Sequence, residues 1–170
     1  MRAAVALPLL LLFATPPLRA AEPKAHRDIA YTDESYLKAE KLSLGAIKGC
    51  IPVDGDTYDV PLQIETVEQK RADAYRKKFG DEESQKALSP VTHAAKGKHV
   101  PPFLILHVSD HPEVKMQSEK LAKALADVGV SAKAYPAAGK THLTINSELG
   151  APDDKPTQEM FEFIQALLKT

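Results

Sequence analysis

The run from Pro101 to Asn146 constrains this chain more than any other stretch. Pro101-Pro102 sets a start, and Phe103 to Leu106 is then apolar without a break. An unbroken apolar run of that length predicts a strand covered on both faces, as in a parallel sheet. Beyond Asp110 the spacing turns helical: Val114, Leu121, Leu125 and Val128 share one face, with Lys115, Glu119, Lys120 and Lys123 outside it. Gly129 supplies the helix stop. Ala132 to Tyr135 predicts the next strand, and AAGKTHLTIN predicts a loop that presents His142. Strand, helix and strand of these lengths make one right-handed crossover, so the fold class is α/β.

The flanking segments add a third strand and more helix. Ile47 to Val53 is largely apolar and β-branched and closes at Asp54-Gly55, with Pro52 tolerable only near a strand end. The expected sheet therefore has about three parallel strands, 47–53, 103–108 and 132–135, flanked by helices. Asp54, Asp56 and Asp59 can suggest a calcium loop, and Glu65 falls at its twelfth position only by coincidence of count. Val60-Pro61-Leu62 breaks that loop, so no metal site is expected. Leu62 to Lys78 predicts one charged, solvated helix with a thin stripe of Ile64, Val67 and Tyr75. His93 and His99 follow among turns as surface histidines. Pro152-Asp153-Asp154 opens a last helix whose Met160, Phe161, Ile164, Leu167 and Leu168 face the sheet.

The first residues speak to export. Arg2, an apolar run from Ala3 to Ala14 and small residues at Ala20 and Ala21 have the layout of a secretory signal peptide, and the run is short for a bilayer span. The expected organisation is a signal peptide over 1–21, a linker over 22–34 and a domain over 35–170, exported to the periplasm or the extracellular space. A weak helix is expected around Tyr36, Leu37 and Leu44. A net charge of -1 gives no sign of a nucleic-acid partner, and after cleavage no membrane association is expected. Cys50 is the single cysteine, so no internal disulfide can form.

Adjacent parallel strands end on one sheet edge, about 4.8 Å apart. Asp110 lies past one such end and His142 on the loop past the next. A carboxylate so placed can fix an imidazole's tautomer and stabilise its cation. Two polar residues on a strand edge are an equally ordinary explanation.

The surrounding words add to this. PPFLILHVSDHPEV and GKTHLTIN resemble the C-terminal part of secreted α/β-hydrolases of the esterase and lipase type, feruloyl-esterase-like proteins among them. KAEKLSLGAIKGCIPVDG and SPVTHAAKGKHVPP resemble the stretches that precede that unit. The resemblance implies a carboxylic-ester hydrolase acting on a small ester, with no cofactor. In it Asp110 is the triad acid, His142 the general base, and His107 and Pro102 structural.

Two parts of that family's pattern are missing. No Gly-x-Ser-x-Gly elbow occurs, the nearest approach being Lys41-Leu-Ser43-Leu-Gly45, and no histidine is followed by glycine as in the oxyanion loop. The chain reads as a hydrolase lacking an internal segment, joined near Tyr31–Asp33. The catalytic triad would then be incomplete, and the first strand's edge open to self-association. The alternatives are a non-catalytic exported remnant or interaction module, or a misassembled gene.

Overall fold

The computed structural model describes residues 38, 41 and 43–169. The signal peptide, the linker, the join and the weak helix at Tyr36 and Leu37 are expectations that lie outside the described residues. Two strands, β1 (Phe103–Val108) and β2 (Ala132–Ala137), pair in parallel, with Phe103 opposite Ala132 and Val108 opposite Ala137. The helices are α1 (Val60–Thr66), α2 (Gln69–Phe79), α3 (Glu82–Ala87), α4 (Pro112–Asp127), α5 (His142–Ser147) and α6 (Lys155–Leu168). This is a small mixed α/β sheet with flanking helices.

The third strand is present as two bridges, Cys50 to Phe103 and Val53 to Leu106, both parallel. Cys50 donates to the Pro102 carbonyl, Leu104 to Cys50, Leu106 to Pro52, and Asp54 to Leu106. The rung that regular alternation would add runs from residue 52 to the Leu104 carbonyl, and Pro52 has no N–H to make it. One proline thus reduces a strand in good register to isolated bridges. The sheet order is the Cys50–Asp54 segment, β1, then β2.

β1 is buried on both faces, as its composition predicts. Leu104, Leu106 and Val108 pack with Ala137 and Ile145 and with Met160 and Phe163 of α6. Ile105 turns the other way, to Leu121 and Leu125 of α4. His107, almost fully buried, places Nδ1 3.1 Å from the Val108 carbonyl. α4 ends at Val128, with Gly129 at a φ of 86° that favours glycine. α6 begins at Asp154, whose side chain accepts from the Thr157 N–H, with Pro156 in the first turn.

The helix expected over Leu62–Lys78 is broken in two, because Glu68 caps a new start by accepting from Lys70 and Arg71. Its first half is not solvated. Val60 and Gln63 are fully buried, and Gln63 lies within a polar network in which Gln117 donates to it and to the Asp59 carbonyl. A buried glutamine is invisible to a search for apolar stripes. The loop after β2 also differs from expectation, for His142 opens the short helix α5. Thr141 caps it by accepting from the Thr144 N–H while the Thr144 hydroxyl accepts from the Thr141 N–H, a reciprocal box built from two threonines.

Candidate functional site

The three strands bring their C-terminal ends to one edge, and the chemistry gathers there. Asp54 ends the first strand at a φ of 53°, a left-handed conformation uncommon outside glycine. That twist turns its carboxylate back over the end of β1. Leu104 and Leu106 donate to backbone carbonyls of the first strand, whereas Val108, next in the alternation, donates to Oδ1 of Asp54 at 2.8 Å. The side chain of Asp54 therefore takes the place of its own carbonyl as the last acceptor of the ladder. The other oxygen, Oδ2, lies 2.7 Å from Nδ1 of His142.

The two partners differ in setting. The Asp54 side chain is 2% exposed and that of His142 is 79% exposed. Gly55, next in the chain, makes room for the Tyr58 ring, since a Cβ there would lie 2.6 Å from the Tyr58 hydroxyl oxygen. The His142 loop is held by its own devices. Lys140 pairs with Glu148 and with Asp154, and the threonine box fixes the start of α5. Burial alone would raise the Asp154 carboxyl, but hydrogen bonds from Lys140 and Thr157 outweigh it and hold it below the usual carboxylate range. Donating to the Asp154 and Glu148 carboxylates in turn raises the Lys140 ammonium.

Of the two residues singled out in the sequence, the structure brings His142 to an acid, and that acid is Asp54. Asp110 stands in the turn after β1, exposed, with His142's Nδ1 already engaged across the end of the sheet. The pairing of Asp110 with His142 expected from the resemblance is thus not the one observed. The physical reason is the ladder: Val108 is held by Asp54, and the chain past it turns directly into α4. Asp54 satisfies the sheet-edge argument as well as Asp110 does, but from the residues alone Asp54-Gly55 reads as a strand stop.

The other carboxylates of that turn have separate tasks. Asp56 accepts from the Tyr75 hydroxyl and pairs with Arg71, which also reaches Glu113 at 3.7 Å. Asp59 caps α1 and pairs with Lys120 at 2.6 Å. Among the described residues no cluster of three metal-ligating side chains occurs. Ser43 is exposed and precedes a single 3-10 turn, Leu44–Ala46. An apolar cavity of about 130 Å³ opens on the α4 face, lined by Cys50, Pro52, Phe103, Leu121 and Leu125 among others; neither Asp54 nor His142 lines it. Burial there pushes the Cys50 thiol up from its ordinary value.

No protein-family profile matches this chain, and no curated protein matches it in sequence. Solved structures do resemble it. The esterase EstE5, from a crystal soaked with p-nitrophenyl butyrate, superposes with a TM-score of 0.51 at 15% identity, over 79% of this chain and 48% of that one. A thermophilic esterase of the planctomycete Thermogutta terrifontis gives 0.48 at 22% identity, over 71% of this chain and 41% of that one. The chain spans less than half the length of either esterase. The EstE5 superposition carries the fold, a small parallel sheet with flanking helices that is consistent with part of an α/β-hydrolase fold. Both of these neighbours are esterases, and the likeness to them is one of fold alone.

Proposed function

We propose that this chain carries the acid–histidine half of a carboxylic-ester hydrolase site, with His142 as general base and Asp54 as the acid that orients it. The observation behind this is the buried carboxylate bonded to an exposed imidazole where parallel strands end. Asp110 is the rival acid, because the resemblance of HVSD points to it. The substrate class is a small ester, and the chain is an exported protein with residues 1–21 as its signal. A complete triad enzyme needs a serine on an elbow and oxyanion donors; loss of one such donor alone costs about a hundredfold or more. The half site is therefore expected to leave a fluorophosphonate probe unreacted while the protein is folded. Labelling of Ser43 or any other serine would overturn the half-site reading. Nitrogen NMR of His142 decides the acid: Asp54→Asn should abolish its preference for the Nδ1–H tautomer and Asp110→Asn should not.

A second reading, a non-catalytic module that binds through its sheet edge, is favoured by one observation. The Cys50–Asp54 segment turns its paired groups toward β1, and Ile51 and Val53 face outward with both N–H and C=O. An open edge of this kind pairs with another strand, a second copy included. Concentration-dependent sedimentation distinguishes that association from a monomer.

A further inference from the structure

We propose that His142 is itself an acyl acceptor toward esters with weakly basic leaving groups, aryl esters being the class it fits. The inference rests on the acid–histidine pair proposed above and requires no serine. Asp54 takes Nδ1, so the neutral ring keeps its proton there and carries its lone pair on Nε2. That nitrogen has no partner among the described residues, and the side chain is 79% exposed. The ring is also positioned rather than loose, by Asp54, by the threonine box and by the ion pairs of Lys140. Leu143, the next residue, is 74% exposed and adds apolar surface at the start of the same helix.

The chemistry closes without another reactant than water. Nε2 attacks the ester carbonyl, an N–C bond forms, and the ester C–O bond breaks to release the aryloxide. The resulting acyl-imidazolium keeps its Nδ1 proton, and the Asp54 carboxylate stabilises that cation. Water then attacks the acyl carbon. The acid and the free imidazole are regenerated, and the proton released neutralises the aryloxide. Without the family's oxyanion loop, whose His-Gly run the sequence lacks, only a good leaving group makes this path fast, so alkyl esters should survive.

The rest of the surface supplies an internal control. His111 is also exposed and lies 2.9 Å from an acid, but that acid is Glu113, partly exposed and shared with Arg71. The experiment is hydrolysis of p-nitrophenyl acetate by the full chain, with mass spectrometry of the protein at early times. His142→Ala should lower the rate roughly tenfold, less than a buried catalytic base would because no oxyanion donors assist. Asp54→Asn should lower it in part, with the Val108 N–H still accepted by the amide oxygen. His111→Ala should leave it unchanged, early acetylation should map to His142, and methyl acetate should not be cleaved. An unchanged rate in His142→Ala, a loss in His111→Ala, or equal cleavage of methyl acetate would each overturn the inference. A tautomer preference at His142 without His142-dependent turnover would sink this proposal alone; its absence would sink the acid–histidine pair as well.

Discussion

The two outer strands of the sheet flank β1 and meet across its end, yet they are built differently. The Cys50–Asp54 strand ends in a carboxylate that is nearly inaccessible and makes bonds to both neighbours, while β2 ends in a loop that offers its imidazole to solvent. Each strand also carries one proline, and the prolines face opposite ways. Pro52 lacks its donor on the side toward β1 and leaves the outer edge complete. Phe103 donates to the Ser131 carbonyl, so by alternation Pro136 turns its nitrogen outward and blunts the edge of β2. Among the described residues, one strand supplies a rigid acid and an uncovered edge, the other a blunted edge and an accessible base.

The largest difference should appear in stability. Asp54→Ala leaves the buried Val108 N–H without an acceptor, and a buried donor so stranded costs about 1–3 kcal/mol. His142→Ala should cost no more than about 1 kcal/mol, since water can replace an exposed ring against the carboxylate. Urea denaturation of the two variants measures the asymmetry. Equal losses would mean that the ladder's end does not depend on Asp54. A smaller effect is expected at Gly55→Ala, where the new methyl meets the Tyr58 ring and forces it to move, at about 1–2 kcal/mol.

Acid should attack the β2 side. Asp154 is held below the usual carboxylate range in the folded chain, so its contribution is fully present above its unfolded value near 3.8. It is lost as the pH falls through the folded value. Stability should decline as the pH drops below about 4, and Asp154→Asn should flatten that decline. Denaturation midpoints at neutral pH and in the acid range test this; a variant as acid-sensitive as the parent would place the acid response elsewhere.

The contrast between the strands also marks what the residues disclosed. Phe103–Leu106 announces a doubly covered strand because every side chain there is apolar, and the helical faces of α4 and α6 follow from their spacing. The first strand was legible in position, but the missing rung at Pro52 is a matter of which side its nitrogen faces, which depends on register. Gln63 and the threonine box hide because their polar groups are satisfied by distant or unconventional partners. His142 was legible from the loop and the resemblance. Asp54 was legible only as one more acid at a strand end, because its bonds to Val108 and His142 depend on a positive φ that no residue pattern around Asp54-Gly55 announces.

The smallest expected effect is the most direct test of the two edges. Pro52→Val restores a donor opposite the Leu104 carbonyl. A net hydrogen bond of about 0.5–1.5 kcal/mol is then offset by the chain entropy that proline had already removed, about 0.4–1 kcal/mol. Global stability should scarcely change. Hydrogen exchange carries the information instead: the introduced amide should be protected along with those of Leu104 and Leu106, while Ile51 and Val53, facing outward, should exchange quickly. Protection of Ile51 and Val53 in dilute solution would show that the edge is covered within the chain. Protection that grows with concentration would show a second copy pairing there, and the open strand would then be an interface rather than the scar of a missing neighbour.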